Sequence, residues 1–397
     1  MKFGGTSVGN LEKIKNVADI VEKQSKNNKL IVVLSAMAGV TNRMQKYLDE
    51  IKSNEKIEND LVLTAGENVT IGLLSSILKK RKIKSIPLLG WQIPILTDKH
   101  HLKAKILNIN NSRIKKFLKK HDVLVLAGFQ GISEEGYITS LGRGGSDTTA
   151  VAIAAAIKAD RCDIYTDVEG VYTTDPSIVR NAKKISKLEY EEMLEMSSTG
   201  AKVLHTRSVE LAMKNNLILQ VLSSLTKKPG TLIVNKKKLI EKEIVSGVSY
   251  SKNESKITIS GIPDKPGISA RIFGLLAERN INVDMIVQNI SQDGILANIT
   301  FTVPDNEKEL AVSVLENNNK KIKYASLSTN KNVSKISVIG MGMMSQSGVA
   351  NKMFATLANN SINILAISTS EIKISVLIDK KFTKIAVKSL HEAYNLN

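Results

Sequence analysis

The feature that most constrains the fold is an alternation of short apolar runs with helix-forming segments before Gly230. The runs have strand length and lie at 30–36, 122–127, 162–166 and 217–222. The segments between them show helical periodicity, most clearly at 144–157, where Ser146 or Asp147 is expected to cap the helix. Parallel strands need connections long enough to hold a helix. The sequence therefore predicts an α/β fold with a mostly parallel sheet.

Beyond Gly230 the chain changes character and repeats itself. A charged stretch at 235–244 marks the seam. Residues 267–283 (GISARIFGLLAERNINV) then align with residues 348–364 (GVANKMFATLANNSINI). Each copy has the pattern of a strand, a glycine loop, an amphipathic helix and a strand, which predicts two related βαββαβ modules. The predicted boundaries are 1–234 for the first domain, 235–255 for a linker and shared strand, 256–332 for one module and 333–397 for the other.

Length and composition exclude several classes of protein. A chain of 397 residues is long enough for two or three cores. A single cysteine, Cys162, excludes a disulfide framework and is predicted to be a buried structural thiol. The N-terminus lacks the apolar run of a secretory signal, and we find no stretch of about 20 apolar residues that would span a membrane. We therefore expect a cytoplasmic protein without a membrane partner.

The formal charge of +18 raises the question of nucleic-acid binding. The basic residues are scattered in short groups, and lysine outnumbers arginine 47 to 9. Only 4% of residues are aromatic, so both base readout and base stacking are poorly supplied. A solvated lysine-rich surface is the favoured interpretation, and strongly salt-dependent duplex binding would contradict it.

Two glycine-rich segments have the chemistry of phosphate cradles. Residues 2–7 (KFGGTS) join a lysine, two glycines and two hydroxyls ahead of a predicted helix at 11–23. Residues 140–147 (SLGRGGSD) also precede a helix and add an arginine and a carboxylate. Glycine lets backbone N–H groups approach phosphate oxygens, and a helix N-terminus adds positive potential. Two such cradles suit phosphoryl transfer, because one can hold the nucleotide and the other the moving group.

Taken together, the motifs resemble the amino acid kinase superfamily and, within it, the aspartate kinase family. The matching strings, in order, are KFGGTS (2–7), TAGE (64–67), GFQG (128–131), LGRGGSDTTA (141–150), YTDVEGVYTTDP (165–176), STGAKVLH (198–205), DKPG (264–267) and STSEIKISVLI (368–378). The resemblance covers nearly the whole chain. It implies a three-layer α/β sandwich followed by two ferredoxin-like ACT modules. It also implies ATP-dependent phosphorylation of L-aspartate, the first step toward lysine, threonine and methionine.

The resemblance assigns roles to residues of the catalytic domain. The catalytic set is Lys2, Gly4, Gly5, Thr6 and Asp147, with Lys2 neutralising charge on the transferred group. The aspartate site is formed by Ser35, Thr41, Glu67, Arg143 and Ser146, with Glu67 at the α-ammonium and Arg143 at the α-carboxylate. The ATP site is formed by Lys2, Gly144, Gly145, Thr166, Asp167, Tyr172, Asp175 and Lys202. Mg²⁺ is expected with ATP, and neither a resident metal site nor a tightly bound cofactor is predicted.

The resemblance also implies an amino-acid effector bound by the ACT modules. The candidate residues are Asp264, Gly267, Ile268, Ser269, Gln288 and Asn289 in the first module and Asn363 and Ile364 in the second. Lysine, threonine or both are the expected effectors, with lysine favoured. A homo-oligomer formed through the ACT modules is expected, and an additional, separately made ACT subunit is an open alternative.

Three departures from the family pattern leave alternatives open. The lysine is residue 2, so the first strand is unusually short or the true start lies upstream. Ser177 stands where the family has arginine after Asp-Pro, and Arg180 is a candidate replacement. Residues 345–348 (SQSG) replace the family's Ser-His-Pro-Gly. The alternatives are a kinase with another acceptor and a catalytically impaired amino-acid-sensing subunit.

Overall fold

The computed structural model describes residues 1–198, 203–226, 228–235, 244–291, 294–345 and 348–397. Within these, residues 1–171, 184–198, 203–226 and 228–235 form an N-terminal unit. The remaining described residues, including 172–183, form a C-terminal unit. The contacts of the segment 172–183 therefore lie mainly with residues that follow it by more than sixty positions. The predicted domain boundaries remain a prediction.

The N-terminal unit alternates strands and helices along the chain. Its strands are β1 (Lys2–Phe3), β2 (Leu30–Leu34), β3 (Ser85–Leu88), β4 (Ile95–Thr97), β5 (Ile106–Ile109), β6 (Val123–Ala127), β7 (Gln130–Ser133), β8 (Ile138–Ser140), β9 (Cys162–Thr166), β10 (Lys187–Glu189), β11 (Leu219–Ser223) and β12 (Thr231–Val234). Its helices are α1 (Leu11–Ser25), α2 (Val40–Glu50), α3 (Lys56–Leu63), α4 (Ala65–Lys80), α5 (Asn111–Lys120), α6 (Gly145–Ile157), α7 (Tyr190–Ser198) and α8 (Thr206–Lys214).

An eight-stranded sheet organises this unit, in the order β10-β12-β11-β9-β1-β2-β6-β3. Its central pairings, β9 with β1, β1 with β2 and β2 with β6, are all parallel. A second sheet has the order β5-β4-β7-β8. The predicted mostly parallel α/β fold is confirmed, and the four predicted strands correspond to β2, β6, β9 and β11.

The central strand β1 is only two residues long, yet it pairs on both sides. Lys2 lies opposite Val33 of β2 and Ile164 of β9. Successive side chains of a strand point to opposite faces of the sheet. Phe3 points into the core shared with α1 and α4, where it is fully buried and its ring stacks on Tyr165 with centroids 4.5 Å apart. Lys2 consequently points to the other face, toward α6.

The helix predicted at 144–157 begins differently from the sequence expectation. Gly144, with φ +68°, is its N-cap, and no side chain caps the helix. The prediction that Ser146 or Asp147 would act as the cap was wrong, because both residues lie one position or more inside the first turn. The Asp147 carboxylate instead faces Lys2, and the first N–H groups of α6 are left without a side-chain cap.

The C-terminal unit contains the two predicted modules. Its strands are β13 (Gly247–Pro263), β14 (Asp284–Ile290), β15 (Leu296–Val303), β16 (Ser326–Ile339), β17 (Ile364–Thr369) and β18 (Lys373–Asp379). Its helices are α9 (Ile268–Ala277), α10 (Lys308–Asn317), α11 (Asn319–Ile322), α12 (Val349–Asn359) and α13 (Thr383–Ala393). The strands form one sheet in the order β14-β15-β13-β16-β18-β17.

The two modules share their two longest strands. The second part of β13 pairs with β15 of the first module, whereas its first part pairs with residues of β16 that belong to the second module. Strand β16 in turn pairs with β18 through its last seven residues, Val333 to Ile339. Each module keeps its own core beneath α9 and α10 or beneath α12 and α13. Ile178 and Val179 join the core of the second module, which explains why 172–183 belongs to this unit.

Among the described residues, one helical stretch is long and apolar enough to span a membrane by length and composition alone. It runs from Lys56 to Lys80, 25 residues across α3 and α4. Half of its most apolar window, 50%, is buried inside the fold, as in a core helix, and one or two such helices are weak support for a span. Leu74 and Leu78 of this stretch are fully buried in the same core as Phe3.

The packing of β1 predicts a large loss of stability for Phe3→Ala. Removing a fully buried aromatic side chain should cost about 3–5 kcal/mol of unfolding free energy, because the site cannot collapse between α1, α4 and Tyr165. Urea unfolding followed by circular dichroism measures this. The control is Leu11→Ala, at a side chain 50% exposed, with a loss below about 1 kcal/mol expected. Equal losses in the two variants would contradict a structural role for the short strand.

Candidate active site

The carboxyl ends of four neighbouring parallel strands meet at one edge of the large sheet. Gly4, Ser35, Gly128 and Asp167 directly follow β1, β2, β6 and β9. Open α/β sheets bind ligands at such an edge. A cleft of about 590 Å³ opens here. It is lined by Lys2, Gly5, Ser35, Ala36, Met37, Ala38, Gly39, Thr41, Asn42, Gln45, Leu63, Glu67, Leu102, Phe129, Ser140, Gly142, Arg143, Gly144, Gly145, Ser146 and Asp147.

Lys2 and Asp147 form an ion pair in the wall of this cleft. The Lys2 Nζ lies 2.6 Å from the Asp147 Oδ1, and each side chain is only about one tenth exposed (11% and 13%). The lysine comes from the central strand and the aspartate from the first turn of α6. Partial burial strengthens the attraction relative to a surface pair. The pair holds an ammonium group at the cleft surface, where it can meet an anionic ligand.

Gly5 allows the backbone after β1 to approach the loop after β2. A Cβ on Gly5 would lie 2.9 Å from the Ala36 carbonyl oxygen, too close for any other residue without a shift. The Gly5 carbonyl accepts a hydrogen bond from Ala38 N at 3.1 Å. At Gly4 an added Cβ would lie 3.4 Å from Lys2 Nζ. Thr6 is exposed. The first glycine segment thus packs closely around the lysine.

The second glycine segment delivers the N-terminus of α6 to the cleft. Gly142 and Gly144 have φ values of +74° and +68°, in the left-handed region that favours glycine. The Gly145 N–H donates to the Gly142 carbonyl at 3.0 Å. The next N–H groups of the first turn have no acceptor within the helix, and they carry the positive end of its dipole. Ser146 is 8% exposed and lies in this turn. The geometry suits a phosphate group at this point.

Glu67 has a buried carboxyl group, and among the described residues only one of its two oxygens has a hydrogen-bond partner. Its Oε1 accepts a hydrogen bond from Ala36 N at 3.0 Å, and its side chain is 3% exposed. Within the described residues, Oε2 has no hydrogen-bond partner. Burial raises the pKa of Glu67 to about 7, against the lowering effect of the Ala36 N–H. A cation bound in the cleft would supply the missing partner and favour the ionised form.

Arg143, Ser35 and Thr41 lie along the same cleft. Arg143 is exposed, and no hydrogen bond or ion pair to the described residues holds its guanidinium. Thr70 Oγ1 donates a hydrogen bond to the Ser35 carbonyl at 3.0 Å, which fixes the backbone after β2. A ligand with one positive and one negative group could therefore bind between Glu67 and Arg143.

The structure brings most of the predicted residues together. The predicted residues that line the cleft are Lys2, Gly5, Ser35, Thr41, Glu67, Arg143, Gly144, Gly145, Ser146 and Asp147. Gly4 and Thr6 adjoin them in sequence. Thr166 and Asp167 lie at the end of β9 on the same sheet edge, and Thr166 Oγ1 donates to Asp167 Oδ1 at 3.1 Å. Their roles remain predictions.

Three residues predicted to bind ATP belong to the C-terminal unit or are not described. Tyr172 and Asp175 belong to the C-terminal unit. Asp175 Oδ2 accepts a hydrogen bond from the Tyr250 hydroxyl at 2.8 Å, and its Oδ1 accepts one from Ser177 N. Lys202 lies outside the described residues. A nucleotide role for these three residues therefore remains a prediction.

Several cleft residues escaped the sequence reasoning. Asn42 and Gln45 of α2 face the cleft, as do Phe129 and Ser140. Phe129 has φ +69°, unusual for an aromatic residue. Phe129 lies within the quoted motif at 128–131 and Ser140 within the segment at 140–147, so a sequence signal existed for both. Asn42 and Gln45 carry no such signal, because a polar helix residue has the same appearance in sequence whether it faces solvent or a cleft.

A separate pocket in the first ACT-like module contains most of the predicted effector residues. It is about 360 Å³ in volume, and its lining is Asp264, Lys265, Pro266, Gly267, Ile268, Ser269 and Gln288. Ser269 Oγ donates a hydrogen bond to Gln288 Oε1 at 3.2 Å, linking α9 to β14. Asn289 follows on β14, whereas Asn363 and Ile364 lie at the start of β17 and do not line this pocket.

Comparisons with known proteins agree along the whole chain. The sequence profile of the amino acid kinase family matches residues 1–223, and that of the ACT domain matches residues 257–318 and 336–394. An aspartate kinase of Pseudomonas fluorescens (strain SBW25) is 49% identical over 401 residues, covering 100% of this chain and 97% of the relative. The crystal structure of E. coli aspartokinase III with aspartate and ADP is 25% identical, with a TM-score of 0.83 and coverage of 99% and 98%. The same enzyme with lysine and aspartate is 26% identical, with a TM-score of 0.76 and coverage of 100% and 98%.

The raised pKa of Glu67 predicts a pH-dependent cost to folding. The native state holds the proton more tightly than the unfolded chain, so stability is fully present below about pH 4.5 and is lost as the pH rises through about 7. A shift from 4.5 to about 7 corresponds to about 3 kcal/mol. Glu67→Gln should therefore raise the unfolding free energy by up to about 3 kcal/mol at pH 8 and change it little at pH 4.5. Urea unfolding at both pH values measures this.

The control for this prediction is Glu58→Gln, at an exposed glutamate of α3. It should change stability by less than about 0.5 kcal/mol at either pH. If the Glu67→Gln variant were no more stable at pH 8 than the wild type, burial would not be the dominant influence on this carboxyl group.

Proposed function

This chain belongs to the aspartate kinases of the amino acid kinase family, and from that premise we propose that it transfers the γ-phosphoryl group of ATP to the side-chain carboxylate of L-aspartate. The product would be 4-phospho-L-aspartate. The observation that carries the proposal is the cleft in which Lys2 and the α6 N-terminus lie on the same sheet edge as Glu67 and Arg143. A phosphate cradle and an α-amino-acid site thus share one cavity.

The aspartate would bind through its α-ammonium and α-carboxylate groups. Glu67 Oε2 is buried without a partner among the described residues, and an ammonium group satisfies it. Arg143 can hold a carboxylate through two parallel N–H bonds. Gripping both α-groups leaves the side-chain carboxylate free to point at the phosphate cradle. This pairing also disfavours an acceptor that lacks a free α-ammonium, such as an N-acetylated amino acid.

The reaction would need little covalent assistance from the protein. A carboxylate is already the nucleophile, so no general base has to remove a proton. The chain's task is to align the two substrates and to stabilise charge on the equatorial phosphoryl oxygens. Lys2 Nζ and the N–H groups of the first α6 turn supply that stabilisation. Mg²⁺, which binds ATP phosphates together with one or two carboxylates, fits beside Asp147, the cleft carboxylate paired to Lys2.

The first test is ATP- and Mg²⁺-dependent formation of aspartyl hydroxamate by the full chain. Parallel reactions with N-acetylglutamate, carbamate and UMP test the other acceptors. Turnover with aspartate but with none of the other acceptors supports the proposal, and preference for another acceptor contradicts it. Absence of turnover with every acceptor, together with calorimetric binding of lysine, would favour the amino-acid-sensing subunit.

Lys2→Met should lower kcat by a factor of about 10²–10³, because the ammonium group acts mainly on charge that develops during transfer. KM for either substrate should change by less than about threefold. Steady-state kinetics measure both values. Lys29→Met is the matched control, since Lys29 is exposed and pairs with Asp122 outside the cleft. A Lys2→Met enzyme with normal kcat would contradict the assigned role.

We also propose regulation by lysine, with threonine as an alternative or a second effector. E. coli aspartokinase III has been crystallised with lysine, and its fold covers this whole chain. The pocket of the first ACT module offers Asp264 for an ammonium group, and it lies at the start of α9, where an effector carboxylate would be favoured. Feedback by an end product suits the first step of a route to lysine, threonine and methionine.

We further propose that the chain forms a homo-oligomer through its ACT modules and acts in the cytoplasm. The two edge strands of the six-stranded sheet carry exposed apolar side chains, Ile286 and Ile290 on β14 and Ile367 on β17. Exposed edge strands with apolar residues are ready to pair with another chain. Sedimentation of the full chain tests this assembly.

Asp264→Asn should raise the lysine concentration for half-inhibition by about tenfold or more, because the effector ammonium loses a charged partner. The kcat without lysine should stay unchanged. Glu278→Gln, an exposed residue at the end of α9, is the control and should leave inhibition unaltered. Unchanged inhibition in Asp264→Asn would move the effector site away from this pocket.

A further inference from the structure

The start of helix α8 grips the glycine segment that carries Arg143. Arg207 uses its two terminal nitrogens on two different loops. Its Nη1 donates to the Leu141 carbonyl and its Nη2 to the Ala104 carbonyl, both at 2.9 Å. Arg207 is half-buried and is not among the described residues that line the cleft. It therefore reaches the cleft only through the backbone that it holds.

His205 contacts the same glycine segment on the other side of Arg143. A Cβ built on Gly144 would lie 2.3 Å from the His205 ring, so the imidazole packs directly against this glycine. His205 is the N-cap residue of α8, and its carbonyl accepts a hydrogen bond from Ser208 N. The imidazole and the guanidinium thus arise two residues apart and contact the segment on both sides of Arg143.

The second loop held by Arg207 is itself anchored. Ala104 N donates to the Ser140 carbonyl at 2.9 Å. A Cβ on Gly142 would lie 3.0 Å from the Leu102 carbonyl oxygen, so the two loops touch there as well. The fully buried Asp60 fixes this loop by accepting hydrogen bonds from His101 Nδ1 at 2.7 Å and from Leu102 N. Arg207 therefore connects the Arg143 segment to a rigid support.

We propose that Arg207 is a positioning residue for aspartate. It restrains the backbone of residues 141–144, and this restraint fixes the position from which the exposed Arg143 side chain extends to the substrate. The inference rests on the proposed function, because it assigns Arg143 to the α-carboxylate of the substrate. A long exposed arginine has many rotamers, and only its backbone end can be restrained before the substrate arrives. The planar guanidinium of arginine can donate to two carbonyls at a fixed spacing, whereas the ammonium group of a lysine at this site would have good geometry for only one of them.

The test compares KM for aspartate with KM for ATP in Arg207→Met and Arg207→Lys. Arg207→Met should raise KM for aspartate about tenfold while KM for ATP changes less than about twofold. Arg207→Lys should lie between Arg207→Met and the wild type. Arg113→Met, at an exposed arginine of α5, is the control and should resemble the wild type. A purely structural role would lower thermal stability without this split between the two KM values.

A double variant tests whether Arg207 acts through Arg143. If it does, Arg143→Met with Arg207→Met should have the same KM for aspartate, within about twofold, as Arg143→Met alone. If the factors by which the two single substitutions raise KM for aspartate multiplied in the double variant, the proposal would be overturned. An unchanged KM for aspartate in Arg207→Met would also overturn it.

Hydrogen exchange separates this inference from the proposed function. Backbone amides of residues 141–145 should exchange faster in Arg207→Met than in the wild type, whether or not the chain turns over aspartate. Faster exchange in a chain without aspartate activity would show that Arg207 orders residues 141–144 and would refute the proposed function. Unchanged exchange would overturn the positioning role itself.

Discussion

The Lys2–Asp147 ion pair is the interaction on which the site depends. It joins the central strand of the large sheet to the first turn of the helix that covers one face. The pairing is possible because β1, two residues long, points one side chain to each face of the sheet. Phe3 secures the strand in the core, and Lys2 is thereby delivered to the cleft. Two adjacent residues of β1 therefore differ in role: the Phe3 side chain packs in the core on one face of the sheet, and the Lys2 side chain reaches the cleft on the other.

The buried carboxyl group of Glu67 costs free energy in the unliganded cleft. Glu67 is buried, keeps one oxygen without a partner among the described residues and has a pKa of about 7. A folded protein tolerates such a group only if surrounding packing outweighs its cost. The benefit appears when a ligand cation replaces the lost hydration. Under the proposed function that ligand cation is the α-ammonium group of aspartate, and the burial that raises the pKa of Glu67 weakens the unliganded fold above neutral pH.

The two modules of the C-terminal unit are joined by common strands. Strands β13 and β16 each run through both modules, so a shift of one module would break ladder hydrogen bonds in the other. Lys335 reinforces the centre of this sheet. It is 4% exposed, contacts the Asp284 carboxylate and lies 3.4 Å from Glu254 Oε1. Its charge helps to lower the pKa of Asp284, against the effect of burial. The proposed effector pocket of the first module thus lies on a sheet that both modules share.

Several strands, the paired modules and the residues proposed for the site were predicted from sequence patterns. Alternating apolar runs predicted β2, β6, β9 and β11, and the 81-position repeat between Gly267 and Gly348 predicted paired modules. Glycine-rich segments drew attention to Lys2 and Arg143, and the resemblance to the aspartate kinase family singled out Glu67. Contacts between residues far apart in sequence, and the capping of α6, became visible only in the folded chain. Gly144 rather than Ser146 is the N-cap of α6, Asp175 accepts a hydrogen bond from Tyr250, and Arg207 donates to the carbonyl of Leu141, 66 positions earlier. These pairings depend on how strands and helices pack in three dimensions, which periodicity along a chain does not encode.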